Sequence, residues 1–212
     1  MKKFFHIRRD YNKSNLQLID LKSNPMEQFD QWFRDAQKNE IYEPNAFVLG
    51  TSTPDGRNST RYLLLKAYDN EGLIFFTNYE SKKSQQMARN PLASMAFYWP
   101  VAQRQVRIEG SITRLPEAQS DEYFNVRPEG SKIGAWASPQ SKPIPNREYL
   151  EKLKNEYEKK FSQFRINRPN FWGGYKLSPD LIEFWQGRPD RLHDRFEYIL
   201  KSDGWRRERL AP

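Results

Sequence analysis

Between residues 46 and 115 the chain reads as one short strand after another, and that succession limits the fold more than any other feature. The runs 46–53 (AFVLGTST), 57–68 (RNSTRYLLLKAY), 73–78 (LIFFTN), 92–100 (LASMAFYWP) and 105–115 (QVRIEGSITRL) are rich in β-branched and aromatic residues. They are separated by PDG, by DNEG and by one polar, helix-like stretch. Five strands at hairpin spacing, with no alternation of strand and helix, predict an antiparallel barrel or closed sheet and argue against a doubly wound fold. Further strands are expected near 172–177, 181–185, 193–200 and 204–210. Helices are expected over 25–39, 116–126 and 147–164. The first of these carries Met26, Phe29, Trp32, Phe33 and Ala36 near helical spacing, behind Ser23-Asn24 as capping candidates and Pro25 in the first turn. The fold class is therefore α+β with a β-barrel core.

At 212 residues the chain suffices for one substantial core, so one domain is expected. Its 35 Lys and Arg against 27 Asp and Glu leave a net charge of +8, which favours anionic partners without choosing between nucleic acid, lipid and small phosphates. Zero cysteines exclude disulfides, thiol nucleophiles, iron-sulfur clusters and zinc knuckles, and fit a reducing compartment. The two histidines, His6 and His193, stand far apart and no metal-ligand spacing occurs, so no metal site is expected. The start, MKKFFHIRRD, lacks the apolar run of a signal peptide, and nothing approaches the roughly 20 apolar residues of a membrane span. A soluble, cytoplasmic protein is the expectation.

The ten glycines form no GxGxxG, GxxxxGK[ST] or GxSxG, which removes the structural basis for Rossmann, P-loop and nucleophile-elbow chemistry. What remains is a dispersed set of cations beside strand ends and turns. In Arg191-Leu192-His193-Asp194-Arg195-Phe196, two guanidiniums and an imidazole recur at every second position, so on a strand all three would share a face. Converging like charges invite a dianion such as a phosphomonoester, and Trp185 just upstream offers aromatic surface for a flat ligand. The ordinary alternative is a charged edge strand that resists sheet-to-sheet pairing. Arg61 and Lys66 are five residues apart and point to opposite faces of a regular strand. Lys82 and Lys83 stand at a helix start, where amides and the helix dipole favour phosphate, although a plain capped helix reads the same way. Residues 123–131 gather Tyr123, Arg127 and Ser131 around an Arg-Pro turn. The Pro-rich stretch 138–145 reads as a fixed loop whose Gln140 and Ser141 can donate to ring atoms or phosphate. The alternating charges of 151–160 read as a solvated helix face.

These segments, HIRRDY, RYLLLK, FFTNYESKK, QRQVRIEG, YFNVRPEGSKIGAWASPQS, FWGGY, EFWQGRPDRLHDRFEY and the terminal RLAP, span His6 to Pro212. Together they resemble the pyridoxamine 5′-phosphate oxidases, FMN enzymes that complete pyridoxal 5′-phosphate synthesis and salvage. The resemblance implies an antiparallel, Greek-key-like split β-barrel with flanking helices, a homodimer with FMN at the subunit interface, and one FMN-binding domain over 1–212. Residues 1–22 would form a flexible segment over the substrate site. By match to the family's motifs, the flavin site would comprise Arg61, Tyr62, Leu63, Leu64, Leu65, Lys66, Phe76, Thr77, Lys82, Lys83, Gln105, Gln140, Ser141, Trp185 and Arg195. The substrate site would comprise Arg8, Tyr11, Lys66, Tyr123, Arg127, Ser131, Arg191 and His193, with Arg191 and His193 as the catalytic pair that orients the C4′ substituent.

The activity so implied is oxidation of pyridoxine 5′-phosphate or pyridoxamine 5′-phosphate to pyridoxal 5′-phosphate, with oxygen as acceptor and hydrogen peroxide as product. No nucleic-acid or membrane partner is implied. Two positions depart from the commonest family pattern. Lys82 stands where Arg is frequent and would meet phosphate as a point charge, and Phe76 stands where Tyr is frequent. The rival readings are a split-barrel flavin reductase or pyridoxal-phosphate carrier, which keeps the fold and loses the reaction, and a basic, aromatic-rich module for single-stranded nucleic acid.

Overall fold

The computed structural model describes residues 1–7, 10–39 and 42–212, and its nine strands join in one antiparallel sheet. In chain order the elements are α1 (Pro25–Asn39), β1 (Ala46–Ser52), β2 (Asn58–Leu64), β3 (Ala67–Asp69), β4 (Gly72–Asn78), α2 (Lys82–Arg89), β5 (Leu92–Trp99) and β6 (Arg104–Arg114). There follow α3 (Glu117–Val126), α4 (Glu129–Ala137), α5 (Arg147–Phe161), β7 (Trp172–Gln186), β8 (Asp194–Lys201) and β9 (Gly204–Leu210). The sheet order is β2-β1-β5-β6-β7-β4-β3, with β8 added to β7 and β9 to β8.

β7 is where the sheet divides. On one edge β6 accompanies it along its length, while on the other its first half pairs with β4 and its second half, Leu181 to Gln186, pairs with β8. The change falls at a register shift between Glu109 and Gly110, opposite Pro179, which has no N–H to give a ladder. A Cβ on Gly110 would stand 2.1 Å from the Ser178 carbonyl oxygen, so glycine is what lets the two strands approach. The expected strands 172–177 and 181–185 are thus one continuous element.

The expected strand 57–68 is instead two. Leu65 N–H donates to Asn45 O at 2.8 Å and Lys66 N–H to Ile74 O at 2.9 Å, so consecutive residues change partner from the β1 side to β4. α4 lies outside the sequence expectation because Gly130 and Gly134 within it lower helix propensity. α5 stops at Phe161 instead of reaching 164. The expected strand face of Arg191, His193 and Arg195 does not form. Pro189 opens a single helical turn in which Asp190 (φ 55°) and Arg191 (φ 62°) are left-handed, and regular strand begins only at Asp194.

α1 is capped by Asn24, whose Oδ1 accepts from Met26 N–H at 2.8 Å. Its buried stripe of Met26, Phe29, Trp32, Phe33 and Ala36 meets Phe97, Trp99 and Phe184 of the sheet. A smaller cluster of Phe124, Ile133, Ile166 and Trp172 fastens α3 and α4 to the start of β7, and Tyr157 and Phe161 of α5 pack against it. No helix among the described residues is long and apolar enough to cross a membrane.

Candidate functional site

Where β2 and β4 meet α2, α3, α4 and the 138–145 loop, a cavity of about 560 Å³ opens. Its walls include Tyr62, Leu63, Leu64, Lys66, Phe76, Thr77, Lys83, Tyr123, Arg127, Ser131 and Gln140, drawn from both expected sites. Lys83 is only 8% exposed, and its Nζ donates to Gln140 Oε1 (2.7 Å), Thr77 Oγ1 (3.1 Å) and Ser81 Oγ (3.1 Å), all of them neutral. Burial, and then the nearby Arg61 charge, hold its ammonium down to about pKa 8. Arg61 is likewise held by neutral acceptors, Thr51 Oγ1 at 2.6 Å and Leu49 O at 3.2 Å, and burial lowers its pKa. Among the described residues no carboxylate pairs with either cation.

Arg127 is the third desolvated cation. Its guanidinium lies 4.4 Å over the Trp172 ring, burial lowers its pKa, and its Nη1 is buried with no hydrogen-bond partner among the described residues. An orphaned donor on a charged group is expensive, and the cheapest remedy in this position is an anion in the cavity. Phe76 stacks on Tyr123 at 4.1 Å and on Trp172 at 5.6 Å, giving the cavity an aromatic wall.

A second cluster forms at the far end of β7. Trp185 and His193 lie 4.5 Å apart between ring centroids, and Tyr11 packs edge-on against both, at 5.6 and 5.7 Å. Gly187 makes this possible, since a Cβ there would stand 2.7 Å from the Tyr11 ring. Arg188 N–H donates to His193 Nδ1 at 3.1 Å, so the neutral ring carries its proton on Nε2. Burial first, then the charges of Arg191 and Arg195, push the His193 pKa below its usual value. The Arg191 and Arg195 charges therefore both bear on the imidazole of His193, which a left-handed turn and not strand alternation brings beside them. Gln105, Trp185 and Arg195 are direct partners across β6, β7 and β8, so they occupy one cross-strand row.

The structure thus divides the expected residues into two sets. Leu65 belongs to neither, because its side chain is buried in the main core, and Lys82 and Ser141 are exposed near the first cavity's rim elements. Arg8 lies outside the described residues. Arg61 and Lys66 stand on either side of the change of partner at Leu65, so strand parity does not relate their directions, and only Lys66 is among the residues lining the cavity. Arg61 charge reaches Lys83, and Lys66 lines the same cavity as Lys83.

Three residues escape a reading of the sequence. Glu183, 3% exposed, receives Arg195 through both oxygens (2.8 and 3.1 Å) and Arg107 at 3.0 Å. Those bonds raise the Arg195 pKa. Thr51 and Gln86, each 4% exposed, hold Arg61. Only the strand register and the seating of α2 reveal these partners, and neither is a local property of sequence.

The sequence profile described as pyridoxamine 5′-phosphate oxidase matches residues 33–158, and the one described as pyridoxine 5′-phosphate oxidase C-terminal dimerisation region matches residues 172–212. The pyridoxine/pyridoxamine 5′-phosphate oxidase of Ectopseudomonas mendocina is 52% identical over 208 residues, 97% of each chain. That of Rubrobacter xylanophilus is 48% identical over 206 residues, 97% of this chain and 95% of its own. Among solved structures, PhzG from Burkholderia lata, crystallised with tetrahydrophenazine-1-carboxylic acid, superposes with a TM-score of 0.86 at 31% identity, covering 92% of this chain and 95% of PhzG. A pyridoxamine 5′-phosphate oxidase-related, FMN-binding protein from Nostoc punctiforme shares the fold at 18% identity and a TM-score of 0.71, over 91% of this chain and 100% of its own. The split sheet, the two clusters and these matches over nearly its whole length converge on one assignment: the chain belongs to the pyridoxamine 5′-phosphate oxidase family.

Proposed function

We propose that the protein is an FMN-dependent oxidase that converts pyridoxine 5′-phosphate and pyridoxamine 5′-phosphate to pyridoxal 5′-phosphate. The observation that carries this reading is the set of desolvated cations without carboxylates. Lys83 beside Arg61, and Arg127 with its unpartnered Nη1, suit two phosphomonoesters, one on FMN and one on the substrate. FMN therefore fits the residues present. When bound it supplies two-electron chemistry, taking a hydride equivalent from the substrate carbon and delivering the electrons to oxygen as hydrogen peroxide.

The remaining work falls to the chain. Arg61, Lys83, Thr77 and Gln140 would hold the flavin phosphate, with Lys82 and Ser141 at its exposed side, and the 61–66 segment would border the ring. Lys66, Tyr123, Arg127 and Ser131 grip the substrate phosphate and fix where C4′ lies. His193, neutral and protonated on Nε2, donates to the C4′ substituent and orients it, while the Arg191 charge favours loss of the substituent's proton, which passes to solvent water. Tyr11 closes over His193 and Trp185.

The first cavity and the Trp185 cluster sit at opposite ends of β7, thirteen residues or about 40 Å apart along an extended strand. That separation supports a homodimer in which Gln105, Trp185, Arg191, His193 and Arg195 of one copy complete the cavity of the other, in keeping with the dimerisation region matched at 172–212. We further read residues 1–212 as one FMN-binding domain; the flexible cover expected over 1–22 does not extend to its end, since Leu16 and Leu21 are buried in the main core. The cysteine-free composition supports a cytoplasmic location.

The test is to reconstitute the protein with FMN and supply each phosphorylated substrate in air. Pyridoxal 5′-phosphate and hydrogen peroxide should form in equal amounts, and unphosphorylated pyridoxine should react at least a hundred-fold more slowly, the loss of charge-assisted contacts worth about 3 kcal/mol. Equal rates with and without the phosphate would overturn the reading.

A further inference from the structure

Among the described residues nothing of opposite charge holds Arg61, which the reading above assigns to the flavin phosphate. Its Nη1 donates to Thr51 Oγ1 at 2.6 Å and to Leu49 O at 3.2 Å, and its Nη2 reaches Gln86 Oε1 at 3.5 Å. Thr51 Oγ1 in turn donates to the same Gln86 Oε1, at 2.6 Å. A guanidinium has donors and no acceptor, so the Gln86 amide must present its oxygen and not its nitrogen. Ser59 is compatible with that orientation, its Oγ accepting from Gln86 Nε2 at 3.2 Å. The result is a chain of hydrogen bonds, Arg61 to Thr51 to Gln86, with Gln86 anchored to Ser59.

Gln86 sits on α2 one turn after Lys83, and its side chain is buried. It therefore ties a guanidinium on β2 to the helix that carries the buried ammonium. A carboxylate in either partner position would hold Arg61 more strongly, but it would cancel the charge. Neutral partners hold the geometry and leave two positive charges uncompensated side by side.

We propose that Gln86 and Thr51 are positioning residues that hold Arg61 beside Lys83 as a preformed, uncancelled pair of cations for the phosphate of the flavin. The inference rests on the FMN reading above and extends it to two residues that would not touch the cofactor. It makes a claim that general structural support does not make: the relay serves the phosphate and not the ring system. Riboflavin, which has the same ring and no phosphate, separates the two.

The experiment titrates full-length, flavin-free protein with FMN and with riboflavin, following flavin fluorescence, for the wild type and for Gln86→Leu, Gln86→Glu, Thr51→Val and Thr51→Ser. Gln86→Leu and Thr51→Val should weaken FMN by about ten-fold or more, the scale of one hydrogen bond to a charged group, and move riboflavin by about two-fold or less. Gln86→Glu keeps size and acceptor but adds a negative charge, so FMN should weaken at least as much as in Gln86→Leu. Thr51→Ser retains the hydroxyl and should bind FMN as the wild type does.

FMN and riboflavin weakened by the same factor would overturn the proposal, as would Gln86→Glu binding FMN with wild-type affinity. If one variant fails to fold, the others still decide. A wild-type protein that binds neither flavin would instead overturn the FMN reading, and the proposal with it.

Discussion

Arg191 is held at φ 62° in a turn with no glycine, and its charge is one of those that push the His193 pKa down. A strained residue beside a ring of altered acidity is the kind of place where function keeps a local cost. On the proposed mechanism neutral His193 is the working form, so kcat/KM should fall as the pH drops through its pKa, and that acid limb should lie below 6.5, the value of an ordinary histidine. Arg191→Met should reduce turnover about a hundred-fold while FMN stays bound, and should move the acid limb upward because one of the charges that depress His193 is gone. Turnover near that of the wild type, or an unmoved limb, would contradict the role given to Arg191.

Lys83 makes a second residue-scale prediction. Its folded pKa of about 8 lies below 10.5, so between those values the unfolded chain binds more protons and stability rises with pH. Below about pH 8 the flavin-free fold bears a cost of roughly 3 kcal/mol for burying the ammonium. Lys83→Met should therefore melt higher than the wild type at pH 7 without flavin and lose that advantage by pH 10.5. Sequence exposed these cations because Lys and Arg beside turns are visible as letters. Thr51 and Gln86, the neutral residues that hold Arg61, look like any buried polar residue until the fold brings them together.

At the scale of elements, β7 carries the architecture, and its pairing with β6 depends on Gly110. Gly110→Ala places a methyl group against the Ser178 carbonyl and should cost about 1–3 kcal/mol in urea unfolding. An unchanged midpoint would show that the strands can part there without loss. The strands of the 46–115 region were legible because alternation and turn residues are local signals, and β1, β4 and β5 stand where those signals put them. The change of partner at Leu65 and Lys66 was not legible, since it depends on which neighbours β1 and β4 happen to be. The turn at Asp190 and Arg191 was hidden for a different reason: alternating charges mimic a strand, and neither residue is one that advertises positive φ as glycine does.

For the whole molecule, the two clusters at opposite ends of β7 explain why a single chain displays two half-sites. An Arg127→Ala protein lacks the first half and an Arg191→Met protein the second, so each should be nearly inactive alone. Mixed and allowed to exchange subunits, they should regain about a quarter of wild-type activity, because half the dimers are mixed and each mixed dimer holds one intact site. No gain on mixing would place both sets of residues in one copy. The family resemblance covered this whole-molecule level from the sequence, while the residues alone reached a β-barrel core and an affinity for anions and left the dimer, the cofactor and the rival readings open.

The central claim, that electrons pass from C4′ of a phosphorylated B6 vitamer to bound FMN, is tested by mixing FMN-loaded protein with pyridoxine 5′-phosphate without oxygen and following the flavin absorbance. The account predicts bleaching that reverses when air is admitted, with pyridoxal 5′-phosphate formed in proportion to the flavin. Flavin that stays oxidised with both pyridoxine 5′-phosphate and pyridoxamine 5′-phosphate would contradict it, and would leave the fold to a reductase or a carrier.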